Sequence, residues 1–433
     1  MLTDAQGLAV TTDSPETLAA INGFIEQSLS YGKDAERLIL QGIAADPDCA
    51  IAQAYAAAYY LSLESATAKR QAMLHLQIAR QSLTQATERE RLYVEAIDAW
   101  AATRVERAIA LHELIAERFP HDLISVQQGQ YHYFYWGESE RLLRIAEKVL
   151  PANWENHYLY GMIAFGLEQC HRLSQAEAIG RLATAMNRQN PWAHHAIAHV
   201  METQGRIEEG IAWMESLADT WENCNTLLYT HNWWHIALYY LKRGDWDKVL
   251  TLYDTHIWGR ACKDSAKDQV GAISLLLRLE LIGIEVGTRW QALTPYLLSR
   301  IHEHLLPFQD LHYVYALARA GQTGWANEML LSMQEYALTA NLHQRQTWLE
   351  VAIPAARGMV AHAQRDWSTA VTQLQAILSR LPMIGGSHTQ RQLFNQVYHD
   401  ACLHSQPSWL SRNAEGNLDM AEIYRLDQAI HVA

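Results

Sequence analysis

Along most of this chain, apolar residues recur three and four positions apart, the period of an α-helix with one buried face. Windows that alternate with period two are few, and Ala is frequent. The helical runs are short. Breaks recur every 12 to 20 residues, at Asp46–Pro47, Pro120–His121, Pro151–Ala152, Asn190–Pro191, Arg243–Gly244–Asp245, Gly321–Gln322 and Leu381–Pro382. One helix start is fully marked. Thr87 followed by Glu90 reads as a capping box, and Leu92, Ala96, Ile97 and Trp100 then form one stripe. The pattern predicts roughly twenty helices joined by short turns.

Short helices alternating with turns over hundreds of residues prompt a search for repeats. Residues 230–257 place Trp233, Ala237, Tyr240, Gly244, Val249, Tyr253 and His256 at positions 4, 8, 11, 15, 20, 24 and 27 of a helix–turn–helix unit. After Pro191, Ala198, Gly205, Gly210 and Met214 take positions 8, 15, 20 and 24. Weaker copies put Gly166 and Ala178, then Val314 and Ala326, then Gly358 and Ala370, at positions 8 and 20. Small residues there let two antiparallel helices approach closely. This is the tetratricopeptide pattern, and the expected fold is all-α, an α-solenoid of tetratricopeptide-like antiparallel helical hairpins. No linker rich in Gly, Ser or Pro interrupts it, so residues 1–433 are expected to form one continuous array. Gly385–Gly386–Ser387 and Pro407 predict an irregular segment near 382–420.

Composition narrows the function. The formal charge of −13 disfavours nucleic acid and anionic membrane as partners. No run of about 18 apolar residues exists to span a bilayer, and the first residues do not read as a signal peptide, so a cytoplasmic location is expected. The five cysteines are scattered without metal-site spacing. Trp and Tyr, at 15 and 20, far outnumber the 6 Phe; such rings suit helix packing and ligand walls alike.

The candidate chemistry lies in the 21 histidines. In this repeat the first helix of each hairpin lines the concave surface through positions 2, 5, 9 and 12. Trp192, His195, His199 and Glu202 hold those positions after Pro191. His231 and Trp234 take positions 2 and 5 of the next hairpin, with His235 beside them; His312 follows Phe308 in a later one. Spacings of three and four keep each set on one helix face. A ligand pocket formed by Trp192, His195, His199, Glu202, His231, Trp234, His235 and His312 is therefore expected. His195, His199, Glu202, His231 and His235 are candidate ligands for a divalent transition metal. Alternatively, an organic ligand stacks on Trp192 and Trp234, or the histidines merely satisfy one another and the backbone. His195 and His199 do not make a zincin motif, because Ala196 stands where that motif has Glu. Asp254 and His256 are candidates for a supporting role behind the imidazoles. Gly385–Gly386–Ser387–His388, with Arg391 nearby, reads as an anion-binding nest or a plain loop.

Arg89–Glu90, Tyr133–Phe134–Tyr135, Phe165–Gly166–Leu167, Trp192 with His195, Ala198–His199 and Glu202 form a recognisable combination. It continues through His231–Asn232, Trp234–His235, Tyr253–Asp254–Thr255–His256, Arg289–Trp290, Asp310, His312, Gly385–Gly386–Ser387, Gln390–Arg391 and Phe394–Asn395–Gln396. Over about residues 30 to 430 the sequence resembles the tetratricopeptide repeat protein 38 family. Two departures are Trp233, where members have Tyr, and Gln130, where they have His. The resemblance implies the helical array and no particular chemistry. It also covers polar residues outside the packing pattern, which adds Asp310 and Arg391 to Asp254 and His256 as supporting residues. Three functions follow: a binding module for a small molecule or peptide, an enzyme using the His/Glu group, or a structural scaffold. The oligomeric state is not encoded legibly.

Overall fold

Helix ends in this chain are set by side chains. Asn190 accepts from the Ala193 amide with Pro191 in the first helical turn, and Asn225 accepts from the Leu228 amide. Gly244 ends its helix in the left-handed conformation at φ 84°, which a side chain would strain. The Thr87–Glu90 capping box is present. A computed structural model describes residues 1–405, the side chain of His343 apart.

The helices, in order, are α1 (Pro15–Leu29), α2 (Ala35–Ala45), α3 (Ala50–Ser62), α4 (Ala66–Gln81), α5 (Glu88–Ala101), α6 (Val105–Arg118), α7 (Leu123–Tyr135) and α8 (Ser139–Lys148). There follow α9 (His157–Gln169), α10 (Leu173–Met186), α11 (Pro191–Thr203), α12 (Ile207–Glu215), α13 (Thr226–Arg243), α14 (Trp246–Leu252) and α15 (Ala266–Leu281). The rest are α16 (Arg289–Leu297), α17 (Pro307–Arg319), α18 (Thr323–Thr339), α19 (Leu342–Thr347), α20 (Ile353–Ala363), α21 (Trp367–Gln375) and α22 (His388–Ser405). Two short strands, β1 (Leu2–Thr3) and β2 (Ala9–Val10), pair antiparallel before them. The fold is all-α, built of tetratricopeptide-like hairpins. Among the described residues, no helix is long and apolar enough to cross a membrane.

Contacts divide the chain into two compact units, Met1–Asp268 and Gln269–Ala433. The division falls in the first turn of α15, where no linker marks it. In the first unit consecutive helices pair as hairpins, α1 with α2 through α13 with α14, and first helices also pack on first helices: α9 on α11, and α11 on α13. Ala198 and Ala237 are fully buried, and a Cβ on Gly210 would strike the Tyr239 ring. Arg89 and Glu90 fasten the N-terminal hairpin. Arg89 meets Asp4 at 3.1 Å in the interior, and the Glu90 carboxylate accepts from the Thr11 amide at 2.8 Å. The second unit pairs α17 with α18 and α20 with α21, and α17 packs on α20.

Two local expectations are corrected. Ala178 is exposed; Gly180, two residues later, makes the close approach, where an added Cβ would lie 2.7 Å from Ile197. The segment from 382 is less irregular than its glycines suggest. After a 3-10 turn to Ile384, Ser387 and Gln390 form a reciprocal cap, each backbone amide donating to the other's side chain, and α22 runs on for 18 residues. The remainder of that segment, 406–420, lies outside the described residues. The Ser387 amide serves this cap, so Gly385–Gly386–Ser387 is a helix-starting loop, in keeping with the plain-loop alternative.

A candidate metal centre on helices α11 and α13

Two helix faces meet in the first unit. On α11, His195 and His199 stand one turn apart; on α13, His231 and His235 do the same. Asn190 and Asn225 set where each helix begins, and so which way those faces turn. The two helices pack side by side and the four rings converge. One nitrogen from each of the four lies within 4.8 Å of every other. His199 Nε2 is 3.0 Å from His195 Nε2, and His231 Nε2 is 3.1 Å from that same atom. The His235 ring centroid is 4.5 Å from that of His199 and 5.0 Å from that of His195.

His195, His199 and His235 are buried and His231 is half-buried. Burial, with the other imidazoles adding to it, holds His195 well below the usual histidine range. Burial lowers His231 to about 4, although Glu202 opposes the shift. These two rings are thus neutral at pH 7 and present lone pairs. A ring nitrogen offers one hydrogen or one lone pair. His195 Nε2 therefore cannot form two well-directed hydrogen bonds to its two neighbours, whereas a cation accepts several lone pairs at once.

Aromatic rings close the flanks. Trp192 stacks on His195 at 4.6 Å and on Tyr31 at 5.0 Å, and Phe165 lies 4.7 Å from Trp192. Trp234 stacks on His231 at 5.2 Å and is only 1% exposed. It is a wall for imidazoles and offers no open stacking face.

Two carboxylates stand behind the rings. Glu202 is not among the converging groups. Its Oε2 lies 3.4 Å from His235 Nδ1, while Oε1 lies 3.3 Å from Lys242 Nζ. Glu168 on α9, which the sequence reading passed over, has Oε1 at 3.7 Å from His199 Nδ1. A signal for it existed: Glu168 precedes Glu202 by 34 residues, one repeat length.

The remaining candidates have other surroundings. Asp254 is exposed, in a π-helical turn over Tyr253–Ile257 whose end residues are the buried ones. His256 stacks on Trp233 at 3.8 Å and meets the Tyr229 hydroxyl at 2.8 Å. His312, Asp310 and Arg391 belong to the second unit and have partners there. His312 Nδ1 meets the Phe308 carbonyl at 2.7 Å, and its ring packs against Phe394. Asp310 accepts from His304 at 2.5 Å. Arg391 donates to the Gly386 carbonyl and lies 3.2 Å from His388. Gln130, at the other departure from the resembled family, donates to the Leu142 and Met162 carbonyls and serves packing.

Fold and site together define a helical-repeat protein with a buried four-imidazole cluster. No protein-family model matches the chain. Among solved structures, the chain is similar to a Rap protein complexed with competence and sporulation factor, at 15% identity over 73% of this chain and 96% of that one, with a TM-score of 0.44. It is also similar to the APC/C hetero-tetramer Cut9–Hcn1, at 12% identity over 88% and 76%, TM-score 0.42. A third likeness is to MamA MSR-1 C2, at 20% identity over 39% and 97%, TM-score 0.28. The fold assignment rests on the hairpins of this chain itself.

Proposed function

We propose that this is a helical-repeat binding protein that holds one divalent transition-metal ion among His195, His199, His231 and His235. The observation that carries the reading is the convergence of four ring nitrogens within 4.8 Å, two from each of two adjacent helices. Bonds of about 2.0–2.1 Å to a tetrahedral ion put donors roughly 3.3 Å apart. The nitrogen separations of 3.0 and 3.1 Å are close to that, and the others lie within 4.8 Å. All-imidazole ligation suits zinc, copper, nickel and iron. Four protein nitrogens fill a tetrahedron, which favours holding an ion over hydrolysis at an open position. A small organic molecule between Trp192 and Trp234 receives less support, since Trp234 is sealed against His231. A peptide or protein partner fits the helical-repeat architecture, with the metal centre as part of the scaffold that presents it. The shared motifs, which include all four histidines, support placing the chain beside the tetratricopeptide repeat protein 38 family.

The test is a Co(II) titration of protein purified without a histidine tag, followed by visible absorption. One equivalent should give the intense d–d bands of a tetrahedral nitrogen site. His199→Gln and His235→Gln should each stay folded and lose at least about 100-fold in affinity, each removing one of four ligands (~1.4 kcal/mol per tenfold). Absence of the bands in the parent, or variants that bind like the parent, would refute the assignment.

A further inference from the structure

Two buried carboxylates stand beside the cluster, each facing one of its rings. Resting on the metal reading above, we infer that Glu168 and Glu202 are positioning residues that hold His199 and His235 with Nε2 inward and tune the centre for a dication. Each carboxylate faces the Nδ1 of one ring, at ion-pair distances of 3.7 Å and 3.4 Å that a hydrogen on Nδ1 would draw in. Both are buried, and they occupy equivalent places on consecutive first helices, α9 and α11. The Glu168 carboxylate is itself held, since the Gln169 side-chain amide donates to its Oε2 at 2.5 Å.

The physics has two parts. A ring that gives its Nε2 lone pair to a metal carries its hydrogen on Nδ1. A carboxylate at that hydrogen fixes the tautomer, locks the ring plane and makes the inner nitrogen a stronger donor. The second part is charge. Four neutral imidazoles add nothing to the charge of the ion, and a dication in a buried site is costly unless anions lie close by. The two carboxylates supply negative charge close to the site, and their attraction for a dication is twice that for a monocation such as Cu(I). Lys242, beside Glu202, moderates that charge from the solvent side. The selected class is therefore M(II), with Zn(II) and Co(II) as probes, over Cu(I), which imidazole would otherwise bind.

The test uses the full chain with Glu168→Gln and Glu202→Gln, which keep shape and remove charge. Glu209→Gln, at an exposed ion pair with Arg206, is the control for net charge alone. Co(II) affinity is read by chelator competition, Cu(I) affinity by competition with a Cu(I)-specific chelator, and geometry by the d–d spectrum. Each cluster variant should lose about 10–100-fold in Co(II) affinity. Cu(I) affinity should fall much less, and the control should change neither. If Glu168→Gln fails to fold, Glu202→Gln carries the same test at the other ring. A parent that binds Co(II) with both Gln variants equal to it overturns this inference and leaves the metal reading standing. Equal losses for Co(II) and Cu(I) overturn the charge selectivity. A parent that binds neither ion overturns the metal reading, and this inference with it.

Discussion

Buried histidines of the second unit and the four on α11 and α13 are used in two different ways. Among the described residues of the second unit, each buried imidazole meets a group of complementary chemistry. His304 has Asp310 on Nδ1 at 2.5 Å and the Ser332 hydroxyl on Nε2 at 2.7 Å. His362 has Asp400 on Nε2 at 2.8 Å and the Tyr315 hydroxyl on Nδ1 at 3.4 Å. These rings are satisfied by the protein and need nothing else. In the first unit, His195, His199, His231 and His235 turn nitrogen toward nitrogen, and the carboxylates stand on the outer side. A helix pair arranged only for stability would place a carboxylate or hydroxyl between such rings. The contrast gives a working criterion for reading histidine-rich repeats. Rings closed by carboxylates serve structure, while rings closed on one another mark the place for a cation.

Mutations should separate the two uses. The largest stability effect is expected at His304→Gln, which breaks a buried pair with Asp310. Burial raises Asp310 to about 6, and His304 offsets part of that shift. Loss of the partner should cost about 3 kcal/mol in urea unfolding while Co(II) affinity stays unchanged. A change in metal affinity with no loss of stability would break the comparison. Next, Zn(II) at a hundred times its dissociation constant should stabilise the parent by about 2.7 kcal/mol, and His199→Gln should cut the gain to about 0.4 kcal/mol or less. An equal gain in both proteins would point to surface binding.

Ala237→Leu should overpack the α13 contact at a cost of roughly 1–3 kcal/mol. A variant as stable as the parent would mean that Ala237 does not sit at a close helix contact. The smallest expected effect is pH-dependent docking of α22 through Asp400. Burial raises the Asp400 pKa, but hydrogen bonds to His362 and His404 outweigh it and leave the group below its usual 3.8. Asp400 in turn raises His404 above 6.5 against its partial burial. The Asp400 contribution is present above pH 3.8 and fades as pH falls through its lowered value. That of His404 is full below pH 6.5 and fades as pH rises through its raised value. Amide exchange in α22 should therefore be slowest, after correction for intrinsic rates, between about pH 4 and 6.5. Protection that grows steadily to pH 8 would contradict this coupling.

The helices were legible because period and punctuation agreed. Pro191 opens α11 and Gly244 closes α13, as read, and that register brought four histidines to one place. What escaped the reading did so for local physical reasons. The π-helical turn at Tyr253–Ile257 shifts the face of its helix, so Asp254 points outward despite its promising neighbours. Two glycines masked the Ser387–Gln390 cap, and α22 was read as irregular. Glu168 looked like an ordinary helix residue despite its 34-residue spacing to Glu202, and packing of α9 on α11 brings it beside His199. No boundary was visible near Asp268, since the division runs through a helix and not a linker.

The most direct measurement is anomalous scattering from crystals grown with Zn(II), recorded on both sides of the zinc absorption edge. One peak among His195, His199, His231 and His235, about 2.0–2.1 Å from four ring nitrogens and with Glu168 and Glu202 behind two of them, is the expected result. Density without an anomalous peak, with the four rings joined through ordered water, would contradict the metal centre.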